Sequence, residues 1–153
     1  MTATTTVPAG VLAVSRAVID QPESAESMFP GRTIDRQTRA WLRVEGLVVG
    51  IVGAVVFSRL GGDWLWFVPA LLLVDLSAIG YLAGPRTGAT TYDIAHNWAV
   101  GFAIVGLGLA VGIPVVALTG TVLVAHTGLD RALGYGLKLQ TGFKDTHLGR
   151  IGR

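Results

Sequence analysis

Three histidines, His96, His126 and His147, and the acids Glu45, Asp75 and Asp130 lie in or beside long apolar stretches of this 153-residue sequence. Imidazole nitrogens and carboxylate oxygens are the ligands that zinc, iron or manganese accept. The same groups serve as general acids and bases. Tyr92 with His96, and His126 with Asp130, are i,i+4 pairs, so each pair projects from one face of a helix. An ionisable side chain at the centre of a bilayer costs roughly 2.5 to 3.5 kcal/mol on insertion scales, so its retention is a functional-site hypothesis. The candidate catalytic groups are therefore Asp75, His96, His126, Asp130, Glu45 and Tyr92, and the candidate metal ligands are His96, His126, Asp130 and His147. His147 lies beyond the last apolar stretch and must fold back to take part. Asp75 also has a plainer use, as a hydrogen-bond partner that holds helices together, and Asp93 reads as a solvated interfacial acid. The absence of cysteine removes thiolate metal sites, cysteine nucleophiles and disulfides.

The elements that must position these groups are apolar and long. Hydrophobic residues make up 51% of the chain and charged residues 14%, where a soluble domain carries about 25% charged; the mean hydropathy is +0.57. This argues against a soluble globular protein and against disorder in the bulk of the chain. Twelve cations spread over this length also argue against a nucleic-acid partner. The apolar stretches run from Trp41 to Leu60, Trp64 to Leu82, about Ala89 to Val111 and Pro114 to about Ala132. Each matches the roughly 20 residues that cross about 30 Å of hydrocarbon as a helix. Gly112-Ile113-Pro114 breaks the last two, because proline suits a first turn and disrupts an interior. The alternating ten-residue strands of a barrel are missing. The expected fold is all-α, a bundle of four transmembrane helices over residues 41–133. A disordered or interfacial tail precedes it at 1–40, and a basic arm follows at 134–153. The first residues lack the positive flank of a signal peptide.

Orientation and depth follow from the same count. Arg36, Arg39, Arg43, Arg86, Arg131, Lys138, Lys144, Arg150 and Arg153 flank one side of the spans and Arg59 the other. That asymmetry puts both termini in the cytoplasm, with the chain crossing the cytoplasmic (inner) membrane several times. Trp64 and Trp66 then mark the outer interface and Trp41 the inner one. Asp75 lies twelve residues past Asp63, about 18 Å below the outer surface. His126, twelve residues past Pro114, reaches the same level, and so does His96, eight residues above Gly88. Three helices thus bring ionisable groups to one layer, with Glu45, Tyr92 and Asp130 a turn nearer the cytoplasm. The outer half is nearly bare of polar groups, so the expected site is a polar cavity open to the cytoplasm. Arg86, Arg131, Lys138 and Lys144 are the cations placed to bind a substrate, Lys138 and Lys144 on an arm that either lies on anionic headgroups or closes as a lid with His147. Gly46xxxGly50, Gly80xxxGly84 and Gly108xxxGly112 permit close helix approach within one bundle or between the protomers of a homo-oligomer.

The strings Arg43-Val44-Glu45-Gly46, Asp75-Leu76-Ser77, Gly80-Tyr81-Leu82, Gly88-Ala89 with Tyr92 and His96, Ala125-His126-Thr127-Gly128-Leu129-Asp130-Arg131, Leu133-Gly134-Tyr135-Gly136-Leu137-Lys138 and Phe143-Lys144-Asp145-Thr146-His147-Leu148-Gly149 resemble the domain of unknown function family 4260. The resemblance covers about residues 41–150 and implies a small bacterial integral membrane protein, with no activity attached. Val74 and Asp93 stand where it leads one to expect proline and asparagine. Three functions remain open from the residues. The first is a membrane-embedded enzyme of hydrolase or isomerase/cyclase type, with a divalent metal (Zn, Fe or Mn) or acid and base groups, acting on a lipid or isoprenoid-like substrate. The second is a small transporter or proton-coupled carrier, and the third a non-catalytic scaffold or accessory subunit.

Overall fold

A computed structural model describes residues 34–152. Most of the tail expected at 1–40 falls outside the described residues, but the first long helix already begins at Arg36. Helix α1 (Arg36–Arg59) starts there because Asp35 caps it, its carboxylate accepting the Gln37 and Thr38 backbone N–H groups at 2.9 Å. Helix α2 (Trp64–Val74) begins after Gly61-Gly62, with Asp63 as its cap.

The second apolar stretch is not one regular helix. At Asp75 the α-helix tightens into a 3-10 helix over Asp75–Ala83, far longer than the three or four residues usual for that geometry. This segment packs on helix α3 (Pro85–Ala95) through close approaches of Gly80 to Thr91 and Gly88 to Tyr81. Thr91 Oγ1 donates to the Ser77 carbonyl at 2.9 Å, which gives that backbone oxygen a partner. The third stretch breaks as well. It starts at Pro85 and ends its first part at Ala95, and helix α4 (Trp98–Val111) continues at 46° to it. Asn97 causes the restart: its side chain caps α4 by accepting from Ala99 N at 2.8 Å.

Helix α5 (Pro114–Leu133) is central, packed against both α1 and α4. Nine of its residues between Ala117 and Gly128 are buried. Small residues make this fit. Gly46, Gly50 and Gly53 of α1 lie against the α5 backbone from Ala125 to Ala132, and a Cβ on Gly128 would overlap Gly50. On the other side Gly108 meets Ala117 and Gly120 meets Val105. Of the three small-residue patterns only Gly46xxxGly50 sets both glycines in contacts within the chain; Gly80 and Gly108 each make one, while Gly84 and Gly112 meet nothing within 4 Å. Phe57, Phe67, Val74, Val122 and Ala125 form an apolar core, with Phe57, Trp64 and Phe67 packed ring on ring at 4.7 to 5.9 Å.

Among the described residues two stretches, Arg36–Arg59 and Trp64–Ala83, are long and apolar enough to cross a membrane, and the bent pair α3–α4 makes a third if it counts as one span. Helix α5 is not among them. Its His126, Asp130 and Arg131 lower its hydropathy.

The basic arm is folded onto the helices. Gly134 ends α5 with φ of 95°, a conformation that favours glycine, and Tyr135 N closes the turn on the Asp130 carbonyl at 2.8 Å. Two short strands, β1 (Asp145–Thr146) and β2 (Gly149–Arg150), pair antiparallel, and Lys138 bridges to Thr146.

Candidate metal centre

Two breaks in helical regularity and one buried helix bring the polar groups together. Asp75 sits where α2 tightens, His96 at the C-cap where α3 gives way to α4, and His126 inside the buried stretch of α5. His96 Nε2 and His126 Nε2 are 3.1 Å apart. Asp75 Oδ1 lies 3.6 Å from the first and 3.5 Å from the second. Two ligand atoms on a tetrahedral ion at about 2.05 Å would be about 3.3 Å apart, so the three separations match those on one face of a small cation. Asp75, His96 and His126 form a group that could hold a metal ion.

The orientation of these ligands is set by their neighbours. His96 Nδ1 stands 2.9 Å from the Tyr92 carbonyl. A carbonyl only accepts, so Nδ1 carries the proton and the Nε2 lone pair faces His126 and Asp75. The His96 ring is stacked on Tyr92 at 3.6 Å between centroids. The Tyr92 hydroxyl in turn donates to Asp130 Oδ2 at 3.0 Å, and that oxygen lies 3.7 and 3.8 Å from the two imidazole Nε2 atoms. Asp130 is thus a fourth oxygen beside the three, held in place by a phenol. Both imidazoles are buried, whereas the Asp75 side chain is 54% exposed, so the group is open on its carboxylate side.

That opening meets a cavity of about 460 Å³ lined by Asp75, Ala78, Tyr92 and Asp130 from the helical part and by Tyr135, Lys138, Phe143 and Ile151 from the arm. The arm is its roof. Lys138 is 5% exposed, with Nζ 4.8 Å from the Tyr92 ring centroid and 4.1 Å from that of Phe143. Burial pushes its pKa down, against the pull of Asp130, Asp93 and Asp75.

The remaining candidates lie elsewhere. His147, expected among the metal ligands, is not in the group. Its Nδ1 faces the Leu137 N–H at 2.8 Å and its Nε2 faces Arg131 Nη1 at 3.0 Å. A neutral imidazole has one acceptor nitrogen, so it satisfies one of these donors at a time. Burial first, and then Arg131, push its pKa below the usual histidine value. Glu45, Arg86 and Lys144 are exposed and line no wall of the cavity. Arg131 lies over the Trp98 ring at 5.4 Å and reaches His147. Asp93 is more than a solvated acid: it accepts the Lys138 backbone N–H at 2.7 Å and so anchors the arm. Tyr135, Phe143 and Ile151 were not among the sequence candidates, because nothing local in a glycine-rich arm announces which side chain turns inward.

Helices of membrane-spanning length around a buried His/Asp group define the class of this protein. The chain belongs to the family described as Domain of unknown function (DUF4260), whose model matches residues 39–151. Neither a curated protein nor a solved structure matches it.

Proposed function

We propose that the chain is a four-span bundle of a bacterial inner membrane with both termini in the cytoplasm, and that it is a membrane-embedded enzyme using a divalent metal to act on a lipid-like molecule. The observation that carries this reading is the convergence of Asp75 Oδ1, His96 Nε2 and His126 Nε2 at 3.1 to 3.6 Å, with the His96 tautomer aimed by the Tyr92 carbonyl. Two imidazoles and one carboxylate leave coordination positions free, the arrangement of catalytic rather than structural sites. Zinc, iron or manganese bound there would polarise a carbonyl or phosphoryl oxygen, or activate water. Asp130, held by Tyr92 beside both imidazoles, is placed to take or return a proton at Oδ2, or to complete the ligand set. The arm limits water above the site, and the apolar surroundings suit a greasy substrate. Turnover of hydrolase or isomerase/cyclase type fits these groups. A carrier would need polar groups on both sides of the layer, and the cavity toward the other end, about 670 Å³, is walled mainly by apolar residues such as Phe57, Leu73, Val115 and Leu118.

Elemental analysis of the detergent-purified chain tests the metal. We expect about one equivalent of a transition metal in the wild type and little in His126→Ala or Asp75→Asn, with helical content retained in all three. Equally negligible metal in every sample after growth in metal-replete medium would overturn it, and would favour acid and base chemistry by the paired imidazoles and carboxylates alone.

A further inference from the structure

The cavity roof holds a cation that the metal does not explain. Lys138 is 5% exposed, and among the described residues no carboxylate lies within the 4.0 Å of an ion pair from its ammonium. Among the described residues its contacts are the faces of Tyr92 and Phe143, with Asp130, Asp93 and Asp75 acting on it from farther off. Cation–π contact offsets part of the cost of taking an ammonium out of water, but a buried charge still calls for a counter-ion. This side chain lines the same cavity as Asp75 and Asp130, so a molecule in the cavity meets the ammonium and the His/Asp group together.

We propose that the cavity binds the anionic head of an amphiphile, a phosphate monoester or a carboxylate, with Lys138 as its counter-ion. The volume, about 460 Å³, is within the range of small-molecule sites, roughly 300 to 1,000 Å³. The tail has a route. Asp75 and Ala78 line the cavity from the 3-10 segment, and the same segment exposes Leu76, Ile79 and Leu82, so an acyl or isoprenyl chain leaving beside Asp75 meets an apolar surface. The proposal rests on the metal reading in one respect: a divalent ion would neutralise the carboxylates that otherwise repel the head. Lys144, exposed on the arm, has no part in it.

Calorimetric titration of the full chain in detergent with octyl phosphate, octanoate and inorganic phosphate tests this, on metal-loaded protein and on protein stripped with a chelator. We expect at least one of the two amphiphiles to bind at one site. Lys138→Met should weaken that binding about 10- to 100-fold, the value of a charge-assisted contact, while Lys144→Met leaves it unchanged. Metal content should be the same in both variants, so loss of metal speaks to the earlier reading and loss of anion to this one. Protection of Lys138 from an amine-acylating reagent by octyl phosphate, read by mass spectrometry on the wild type, reports the same contact without a mutation. Unchanged affinity in Lys138→Met, or no protection, would overturn the proposal. Inorganic phosphate binding as tightly as octyl phosphate would overturn the amphiphile and point to a soluble phosphate ester.

Discussion

Tyr92 touches the centre in two ways, with its carbonyl on His96 Nδ1 and its hydroxyl on Asp130 Oδ2. Only the second is lost in Tyr92→Phe, since the backbone and the stacked ring remain. Partners that orient metal ligands typically contribute 10- to 100-fold in affinity. We therefore expect Tyr92→Phe to lower metal affinity by about tenfold in a competition titration with a chelator, with thermal stability close to wild type. Affinity equal to wild type would mean that Asp130 needs no help to face the ion. At this scale much of the site was legible in the sequence. His126 and Asp130 share a face by spacing alone, and an apolar setting marks Asp75 and His96 as worth their cost. His147 was not legible, because its neighbours Arg131 and Leu137 are set by the path of the arm, which no periodicity encodes.

Among the elements, the long helices follow from length and hydropathy, and their two irregularities do not. A 3-10 segment differs from an α-helix by about 0.6 residue per turn, too little to change a hydrophobic pattern over nine residues. The bend at Asn97 had a signal, an N-cap residue after His96, hidden by the apolar run around it. The arm is the element with a pH response. Its His147 packs against Leu137 and Arg131, with Asp93 close enough to act on its charge. Its folded-state pKa lies below the ordinary 6.5, so below that pH the detached arm binds more protons than the docked one. The docking that His147 supports is complete above about pH 6.5 and declines as the pH falls below it. Hydrogen exchange at residues 137–150 should therefore quicken between pH 7.5 and 5.5, after correction for intrinsic rates, and His147→Gln should flatten that change. An arm equally protected at both pH values would refute the latch.

For the whole molecule, the strongest statement in the sequence is the spacing of its cations, which leads one to expect nine on one side of the spans and Arg59 on the other. A chain without cysteine makes this simple to check. Arg59→Cys should react with a membrane-impermeant maleimide in intact cells, and Gln140→Cys only after the cells are permeabilised. The reverse pattern would turn the cavity roof to the outside. Wherever the bundle sits, Asp75–Ala83 gives it one unusual degree of freedom. Each 3-10 residue advances about 2.0 Å and turns about 120°, against about 1.5 Å and 100° in an α-helix. Rewinding nine residues would shorten the segment by about 4.5 Å and rotate its far end by about 180°. Such a screw motion would separate Ser77 from Thr91 and carry Ala78 away from the cavity, so one polypeptide stretch holds both the candidate ligand Asp75 and the thread on which its surroundings could turn.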